Sequence, residues 1–533
     1  MIGTLQSLLL LLAVTAGVEA LATRLAVPPS ILLVIIGVVL ALIPGLPAVN
    51  MAPELVLLIV LPLLIYSAGV AMSWKEFRVN IGAITLLAVG CVLFTTAAVA
   101  TACHLWLHLP WPVGFVLGAI VSPPDAVAPL AVARRMRIPR RIEVILEGEG
   151  LANDATALVL TRFAVIAVSA GSVSVGSGSE QFVAIVAGEI LWGIVVGWVM
   201  LRLRHWARDP HIEITLSVLT PFLAFWPPEH LGGSGVLATV ACGLFTSWNG
   251  PGLISATTRL QGIFFWDFLT YIVEGLVFLV TGMQARAILS GIHDYSAPQL
   301  VLAAGIVSVV VIVARFAWIF PATYASRFGW RGRVTQSEPV SWQRPFAVAF
   351  IGIRGVVSLA AALALPLVTR SGAPFPARDL ILFLAYAVIL VTLVGQGLAL
   401  PAVIRALGLA NAGRREQRAE RAAELKARHA AISEALQQLD RLAAERGLPE
   451  DVVQSVRSYY RERLRQVEHR ASDDEHLARV RLRDEVEFLL IEAERRYINR
   501  LYREGQIKDD SRRQVERGYD LREAHLRSVG SED

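Results

Sequence analysis

Cysteine is scarce in this chain of 533 residues, which contains three: Cys91, Cys103 and Cys242. All three lie in or at the ends of apolar segments, and their spacing matches neither a disulfide framework nor a metal-binding cluster. Residues 1–21 lack the basic start and the clear small-residue cleavage site of a secretory signal, so we interpret them as part of a first membrane span. These absences argue against a disulfide-stabilised fold and a cysteine-based metal centre.

Lysine and arginine are missing from alternate loops between the apolar segments. Residues 48–52, 104–111, 171–181 and 229–231 contain neither. The basic residues lie in the intervening loops: Arg134, Arg135, Arg137, Arg140, Arg141; Arg202, Arg204, Arg208; and Arg327, Arg331, Arg333, Arg344. By the positive-inside rule the basic loops are cytoplasmic, which puts the N-terminus outside and the chain after Arg405 inside. Basic patches can also bind nucleic acid, but their strict alternation favours topology, so we expect no nucleic-acid partner.

Hydrophobic residues make up 55% of the chain, which is typical of a polytopic membrane protein in a lipid bilayer. We predict an all-α fold of thirteen transmembrane helices, each near the roughly 20 apolar residues that a bilayer requires. The predicted spans are 4–22, 29–47, 53–72, 80–103, 112–133, 147–170, 182–202, 212–228, 232–248, 260–285, 297–324, 345–369 and 377–405. Residues 1–410 therefore form the membrane domain. Residues 411–533 are rich in Arg, Glu, Ala and Leu and predict a charged, helical cytoplasmic domain.

Asp154 lies inside an apolar helix. The segment 147–170 opens with the polar residues Glu149 and Asn153 and continues as hydrophobic sequence. A carboxylate in a span costs about 2.5–3.5 kcal/mol and usually marks an ion or proton path. Glu149 precedes Asp154 by five residues, which turns it away from the Asp154 face of a continuous helix. We therefore predict an ion-carrying role for Asp154; the plainer alternative is an acid tolerated near a helix end.

The preceding span contains a helix break. Three prolines fall within the eight residues Ser122–Pro129, and proline removes a backbone donor and clashes with the preceding turn. Unwound backbone at membrane depth is tolerated where protein buries it or where it lines a cavity, and its free carbonyls can coordinate a cation. Asp125 lies in this break. The alternative is a kinked packing helix with an incidental acid.

Arg354 lies in the middle of the twelfth span, between Gly352 and Gly355, and predicts a second interrupted helix. A buried arginine needs a carboxylate or carbonyl partner, and we expect Glu149 or Glu274 to provide it. Thirteen spans can form two inverted six-span repeats in which spans five and twelve correspond. Interrupted segments at corresponding positions are a sequence indicator of a transporter site.

Arg162, Glu189 and Arg315 are other charged residues within predicted spans. Arg162 follows Asp154 by two helical turns, and we expect it to form an ion pair or to extend towards the membrane surface. For Glu189 and Arg315 we expect structural roles.

The combination of these motifs resembles the cation:proton antiporter-1 family, in its bacterial NhaP-like branch of Na⁺/H⁺ exchangers. The resemblance covers about residues 1–410. It is carried by Ser122-Pro-Pro-Asp125-Ala-Val, Glu149 followed by Asn153-Asp154, Glu274-Gly-Leu-Val-Phe and Gly352-Ile-Arg354-Gly355. Two positions depart from the family pattern: Gly150 stands where relatives often have Ser, and Ser67 where they often have an acid.

The resemblance implies a homodimer in the inner membrane, with crossed interrupted helices in a moving core and transport by alternating access. It implies that Asp154 carries Na⁺ or H⁺, that Asp125 contributes to the Na⁺ site, and that Glu149 braces Asn153 or pairs with Arg354. Ser122 and Glu274 would support the site. No cofactor is implied besides the transported ions.

We therefore predict a secondary Na⁺/H⁺ antiporter rather than an enzyme. K⁺/H⁺ exchange, or Li⁺ as the exchanged ion, remains an alternative within the same class. A cation channel and an intramembrane aspartyl protease are more distant alternatives. The protease would need its acids in a Gly-x-Gly-Asp context, which is absent here.

Overall fold

Helices provide the regular structure of this protein, and no β-strand is present within the described residues. The computed structural model describes residues 2–25, 27–44, 51–170, 175–293, 295–329, 341–369, 372–470 and 474–530. Arg331, Arg333 and parts of two loops without Lys or Arg, residues 48–50 and 171–174, lie outside these ranges. The chain forms two units, Met1–Arg414 and Arg415–Asp533.

The helices of the first unit are named here in chain order. They are α1 (Ile2–Leu25), α2 (Pro29–Leu42), α3 (Pro53–Ala71), α4 (Trp74–Leu107), α5 (Trp111–Val121), α6 (Val127–Arg135), α7 (Arg140–Ala170), α8 (Val175–Ala207), α9 (Pro210–His230), α10 (Val236–Leu253), α11 (Ala256–Met283), α12 (Ala285–Ser290), α13 (Ala297–Gly329), α14 (Gln343–Phe350), α15 (Val356–Leu363) and α16 (Arg378–Ala406). Short π-helical turns interrupt α3, α4 and α16.

Eight helices in the described part of the chain are long and apolar enough to cross a membrane, and α2 and α5 are shorter apolar helices. Each predicted span coincides with one helix or with an interrupted pair. The two predicted breaks are confirmed, because α5 and α6 are separated at residues 122–126 and α14 and α15 at residues 351–355. The count of thirteen crossings and the inverted repeat stay predictions.

Two clusters of buried apolar side chains pack against the helices that flank the breaks. One cluster joins α4, α5, α7, α13, α15 and α16 through residues such as Leu117, Val311 and Leu384. A second joins α1, α2, α11, α15 and α16 through residues such as Val34 and Leu279. Both clusters include side chains of α15. The half-helices that follow and precede the breaks are therefore held by packing, since their own hydrogen-bond ladders are short.

The second unit contains most of α17 (Leu409–Arg446) together with α18 (Glu450–Arg470), α19 (Asp474–Arg503) and α20 (Asp509–Gly530). Helices α19 and α20 are joined by ion pairs. The guanidinium of Arg495 lies 2.8 Å from Asp520 and 3.0 Å from Glu523. Exposed pairs of this kind contribute little each, about 0–1 kcal/mol.

Glu189 has a structural role in the first unit, as expected. Its side chain is buried, and its carboxylate accepts hydrogen bonds from the backbone N–H groups of Ser234, Gly235 and Leu237 at 2.5, 3.2 and 3.1 Å. These groups lie at the start of α10, where a helix leaves backbone donors unsatisfied and its dipole favours a negative charge. Glu189 therefore caps α10 from α8.

Replacement of Glu189 by alanine should destabilise the protein. Three buried backbone donors would lose their acceptor, and one unsatisfied buried group costs about 1–3 kcal/mol. We expect a clear fall in the melting temperature of the detergent-purified protein. Glu54, an exposed acid, provides the control, and Glu54→Ala should melt like the wild type. Equal melting temperatures for Glu189→Ala and this control would show that the cap is dispensable.

Candidate functional site

The first break is shaped by Asp125. Its carboxylate oxygen Oδ1 accepts a hydrogen bond from the backbone N–H of Val127 at 2.9 Å, which caps the start of α6. The backbone N–H of Asp125 donates to the carbonyl of Ile353 in the second break at 2.7 Å. The two unwound segments are therefore joined by their backbones.

Arg354 makes the second connection between the breaks. Its guanidinium donates to the carbonyls of Val121 at 2.9 Å and Ser122 at 3.1 Å, and also to that of Gly352. These carbonyls lie where α5 ends and the second break begins, so no further helical turn satisfies them. Its own backbone N–H donates to Thr392 Oγ1 on α16 at 3.0 Å. The predicted crossing of interrupted helices is thus a network of backbone groups with a buried arginine at its centre.

Gly355 allows the second break to approach Asp125 closely. A Cβ atom at this position would lie 1.9 Å from Asp125 Oδ2, so any side chain would collide with the carboxylate. Gly355 also precedes the first residue of α15. The carboxylate of Asp125 therefore lies against the N-terminal end of a half-helix, where the helix dipole favours an anion.

Asn153 ties α7 to the same crossing. Its Nδ2 donates to the carbonyl of Pro124 at 2.6 Å, while its buried Oδ1 has no hydrogen-bond partner among the described residues. The next residue, Asp154, has neither an ion pair nor a hydrogen bond to the described residues. The charges of Asp125 and Asp154 are close enough to act on each other. The structure thus brings Asp125, Asn153, Asp154 and Ser122 together.

The prediction that a carboxylate, Glu149 or Glu274, pairs with Arg354 is wrong. Glu149 pairs instead with Arg315 of α13, at 2.5 and 2.8 Å, and both side chains are 1% exposed. Arg315 also donates to the carbonyl of Val348. Backbone carbonyls accept hydrogen bonds from Arg354 because it lies beside the end of α5, where carbonyls have no helical partner. Glu149 faces away from Asp154 on α7, as its spacing predicts. Arg315 thus has the structural role expected of it, but its pairing was missed: the opposite charges were visible in the sequence, whereas a contact across 166 residues was not.

Glu274, the other predicted partner of Arg354, lines a separate cavity of about 280 Å³. This cavity lies between α1, α2, α6 and α11, and two further carboxylates line it, those of Glu19 and Asp267. We call it the acidic cavity. Glu19 and Asp267 were not among the predicted site residues, although both lie in apolar helices, where the rule applied to Asp154 would have identified them.

Arg162 forms the ion pair expected of it. Its guanidinium donates to the carboxylate of Glu229 and to the carbonyl of Gly233, both near the turn between α9 and α10. Arg162 lies two turns after Asp154 on α7. Its contacts join α7 to the turn that leads into α10, the helix that Glu189 caps.

Membrane-length helices, two crossed breaks and half-buried carboxylates beside them define a secondary transporter of cations. The comparisons with known proteins agree. Residues 9–406 match the sequence profile of the sodium/hydrogen exchanger transmembrane family. An uncharacterized Na⁺/H⁺ exchanger of Mycobacterium tuberculosis is 34% identical over 98% of this chain and 97% of its own length. A sodium, potassium, lithium and rubidium/H⁺ antiporter of Bacillus subtilis is 31% identical, over 70% of this chain and 57% of its own.

A solved structure has the same fold. The sodium proton antiporter MjNhaP1 of Methanocaldococcus jannaschii superposes with a TM-score of 0.59 at 20% identity, over 77% of this chain and 98% of its own. The chain belongs to the sodium/hydrogen exchanger family. It is a multi-pass membrane protein and a cation/proton antiporter, and its family and structural relatives are transporters rather than enzymes.

The ion pair of Glu149 and Arg315 should be a main determinant of stability. Removing one partner of a buried pair typically costs about 3–5 kcal/mol, because the other charge stays uncompensated. Glu149→Gln should therefore lower the melting temperature of the purified protein strongly. Glu274→Gln is the matched control, since Glu274 forms no ion pair with the described residues and lines a cavity. If Glu274→Gln were the more destabilising change, the assignment of the partners would be wrong.

Proposed function

We propose that this protein exchanges Na⁺ for H⁺ by alternating access, with the carboxylate of Asp154 as the shared carrier. One observation carries the proposal. Among the charged side chains at the crossing, Arg354 and the pair of Glu149 and Arg315 have partners, whereas Asp154 has none in the part of the chain that the structure describes. An uncompensated carboxylate in a membrane is costly. A bound proton or a bound cation removes that cost, and each excludes the other.

Asp125 supports the Na⁺ site in this proposal. Its carboxylate is close enough to that of Asp154 for their charges to interact, and it is fixed by Val127 and by the close approach of Gly355. Carboxylate, carbonyl and water oxygens are the ligands that hard cations prefer. Asn153 holds α7 against the first break, and Ser122 and Arg354 hold the backbone around the site. These residues would position Asp154 without titrating themselves.

Cation selectivity has two candidates. The first candidate is Na⁺, which is supported by the names of relatives such as the Na⁺/H⁺ exchanger of Mycobacterium tuberculosis. K⁺/H⁺ exchange is the second candidate, because the Bacillus subtilis relative is named for sodium, potassium, lithium and rubidium. Gly150 and Ser67 reduce the number of side-chain oxygens relative to the family pattern, which leaves room for a different ion preference.

We place the protein in the inner membrane as a homodimer with thirteen crossings, the N-terminus outside and residues 411–533 in the cytoplasm. The arginine-rich loops support this orientation. The breaks fall in spans five and twelve, which correspond in two inverted six-span repeats. Helix α6 leads from the first break to Arg134 and Arg135, so the acidic cavity beside α6 would open towards the cytoplasm.

Asp154→Asn should abolish exchange while the protein stays folded. Asparagine keeps the shape of the side chain but cannot take up a proton or neutralise a cation. The assay is cation-dependent proton movement in sealed proteoliposomes, measured with Na⁺, K⁺ and Li⁺ in turn. Asp379→Asn is the control, since that carboxylate is 60% exposed. Near-normal flux in Asp154→Asn would refute the carrier role.

Exchange should be electroneutral, because Asn153 cannot titrate and one carboxylate then serves each cycle. Asp154 would cross neutral with H⁺ and return neutral with Na⁺. The membrane potential, worth about 2.3 kcal/mol per charge per 100 mV, should therefore not drive transport. The test clamps the potential of proteoliposomes with K⁺ and valinomycin during Na⁺ exchange. A rate that depends steeply on voltage, or a steady transport current, would rule out 1:1 exchange.

A further inference from the structure

A second, much smaller cavity lies beside Asp154. Its volume is about 10 Å³, and its lining includes Asp154, Pro123, Thr161 and Ser358. A cavity of about this size holds one water molecule, and a bare monovalent cation is no larger. Its other lining residues are apolar, so Asp154, Thr161 and Ser358 provide its polar side chains.

Ser358 differs from the other hydroxyl residues near the site. Its side chain is 3% exposed, and within the described residues its hydroxyl forms no hydrogen bond. Thr161 Oγ1 donates to the carbonyl of Ala157 at 2.8 Å, and Ser122 Oγ to that of Ala119 at 3.1 Å. Ser358 is the third residue of α15, and four residues before it lies Arg354, which is outside the helix. The acceptor that a mid-helix serine normally uses is therefore not in place.

Helix α7 cannot supply a hydroxyl at the position one turn before Asp154. Gly150 lies one turn before Asp154 on the same face, and a Cβ atom there would be 2.5 Å from the Cβ of Ala126. A serine at that position would require the first break to shift. The N-terminal end of α15 carries a partial positive charge that would oppose a cation near Ser358. The carboxylate of Asp125 lies against Gly355 at this end and offsets that charge.

We propose that the Ser358 hydroxyl coordinates the transported cation at Asp154, as a selectivity-determining ligand contributed by the second interrupted helix. This inference rests on the proposed function. The cation would lie in the small cavity between Asp154 and Ser358, and the oxygen of Thr161 can complete the site because a hydroxyl that donates one hydrogen bond keeps its lone pairs. The protonated form of Asp154 needs no such ligand, so Ser358 would act on cation binding and not on proton binding.

The test compares Ser358→Ala with wild type in proteoliposomes. The Na⁺ concentration for half-maximal exchange should rise about tenfold, the order expected for loss of one polar contact to a charge. The maximal rate should stay within about twofold. The ratio of half-maximal concentrations for Li⁺, Na⁺ and K⁺ should change, and Ser358→Cys, which keeps the volume but replaces the oxygen, should behave like Ser358→Ala.

Ser308→Ala is the matched control, because Ser308 on α13 is also buried and its hydroxyl also lacks a partner among the described residues, but it does not line this cavity. It should behave like wild type. Na⁺-dependent thermal stabilisation of the detergent-purified protein gives a readout independent of transport, and the Ser358 variants should need about tenfold more Na⁺ for the same stabilisation.

The outcomes separate this inference from the proposed function. Wild-type protein without cation-dependent proton flux would overturn the function itself. Flux that is lost in Asp154→Asn but unchanged in both Ser358 variants would overturn only the ligand role. An equal shift for all three ions would also overturn it, since that result assigns Ser358 a hydrogen bond to Asp154 rather than contact with the ion.

Discussion

Backbone groups freed at two helix breaks must find partners inside the membrane, and the structure of the site depends on how they do so. No water is available there to compensate an unpaired carbonyl or N–H group. The breaks solve the problem by crossing: the N–H of Asp125 binds the carbonyl of Ile353, and Arg354 binds the carbonyls of Val121 and Ser122. One arginine satisfies several acceptors at once because its guanidinium carries five donors in a plane.

The charges around the crossing fall into two groups. Arg315 and Glu149 neutralise each other and join α13 to α7, and Glu189 is neutralised by the start of α10. The cost of burying these charges is offset by partners within the fold, so they contribute to structure alone. Asp154 and Asp125 have no cationic partner among the described residues, and Glu274, Glu19 and Asp267 line an open cavity. A carboxylate that has no partner among the described residues, as is the case for Asp154, can respond to protons and cations in solution.

The sequence was sufficient for the parts of this arrangement that depend on local pattern. The apolar segments predicted the helices, and the prolines after Ser122 and the glycines around Arg354 predicted the breaks, because each acts on its own backbone. The partner of Arg354 could not be obtained in this way. Several carboxylates of the right sign lay in other spans, and helical periodicity gives the face of one helix but not the neighbour it meets. Spacing correctly turned Glu149 away from Asp154, yet Arg315 became its partner only through the packing of α13.

The bonds at the crossing also fix how many parts of the protein can shift independently. Asn153 joins α7 to Pro124, Asp125 joins the first break to Ile353, and Arg354 joins both breaks to each other and, through Thr392, to α16. A sliding movement of one of these helices alone would leave buried polar groups without partners, at about 1–3 kcal/mol each. These elements should therefore move together as one rigid body. Thermal motion should displace Asp154 only together with both breaks, so the carboxylate keeps its neighbours wherever this rigid body moves.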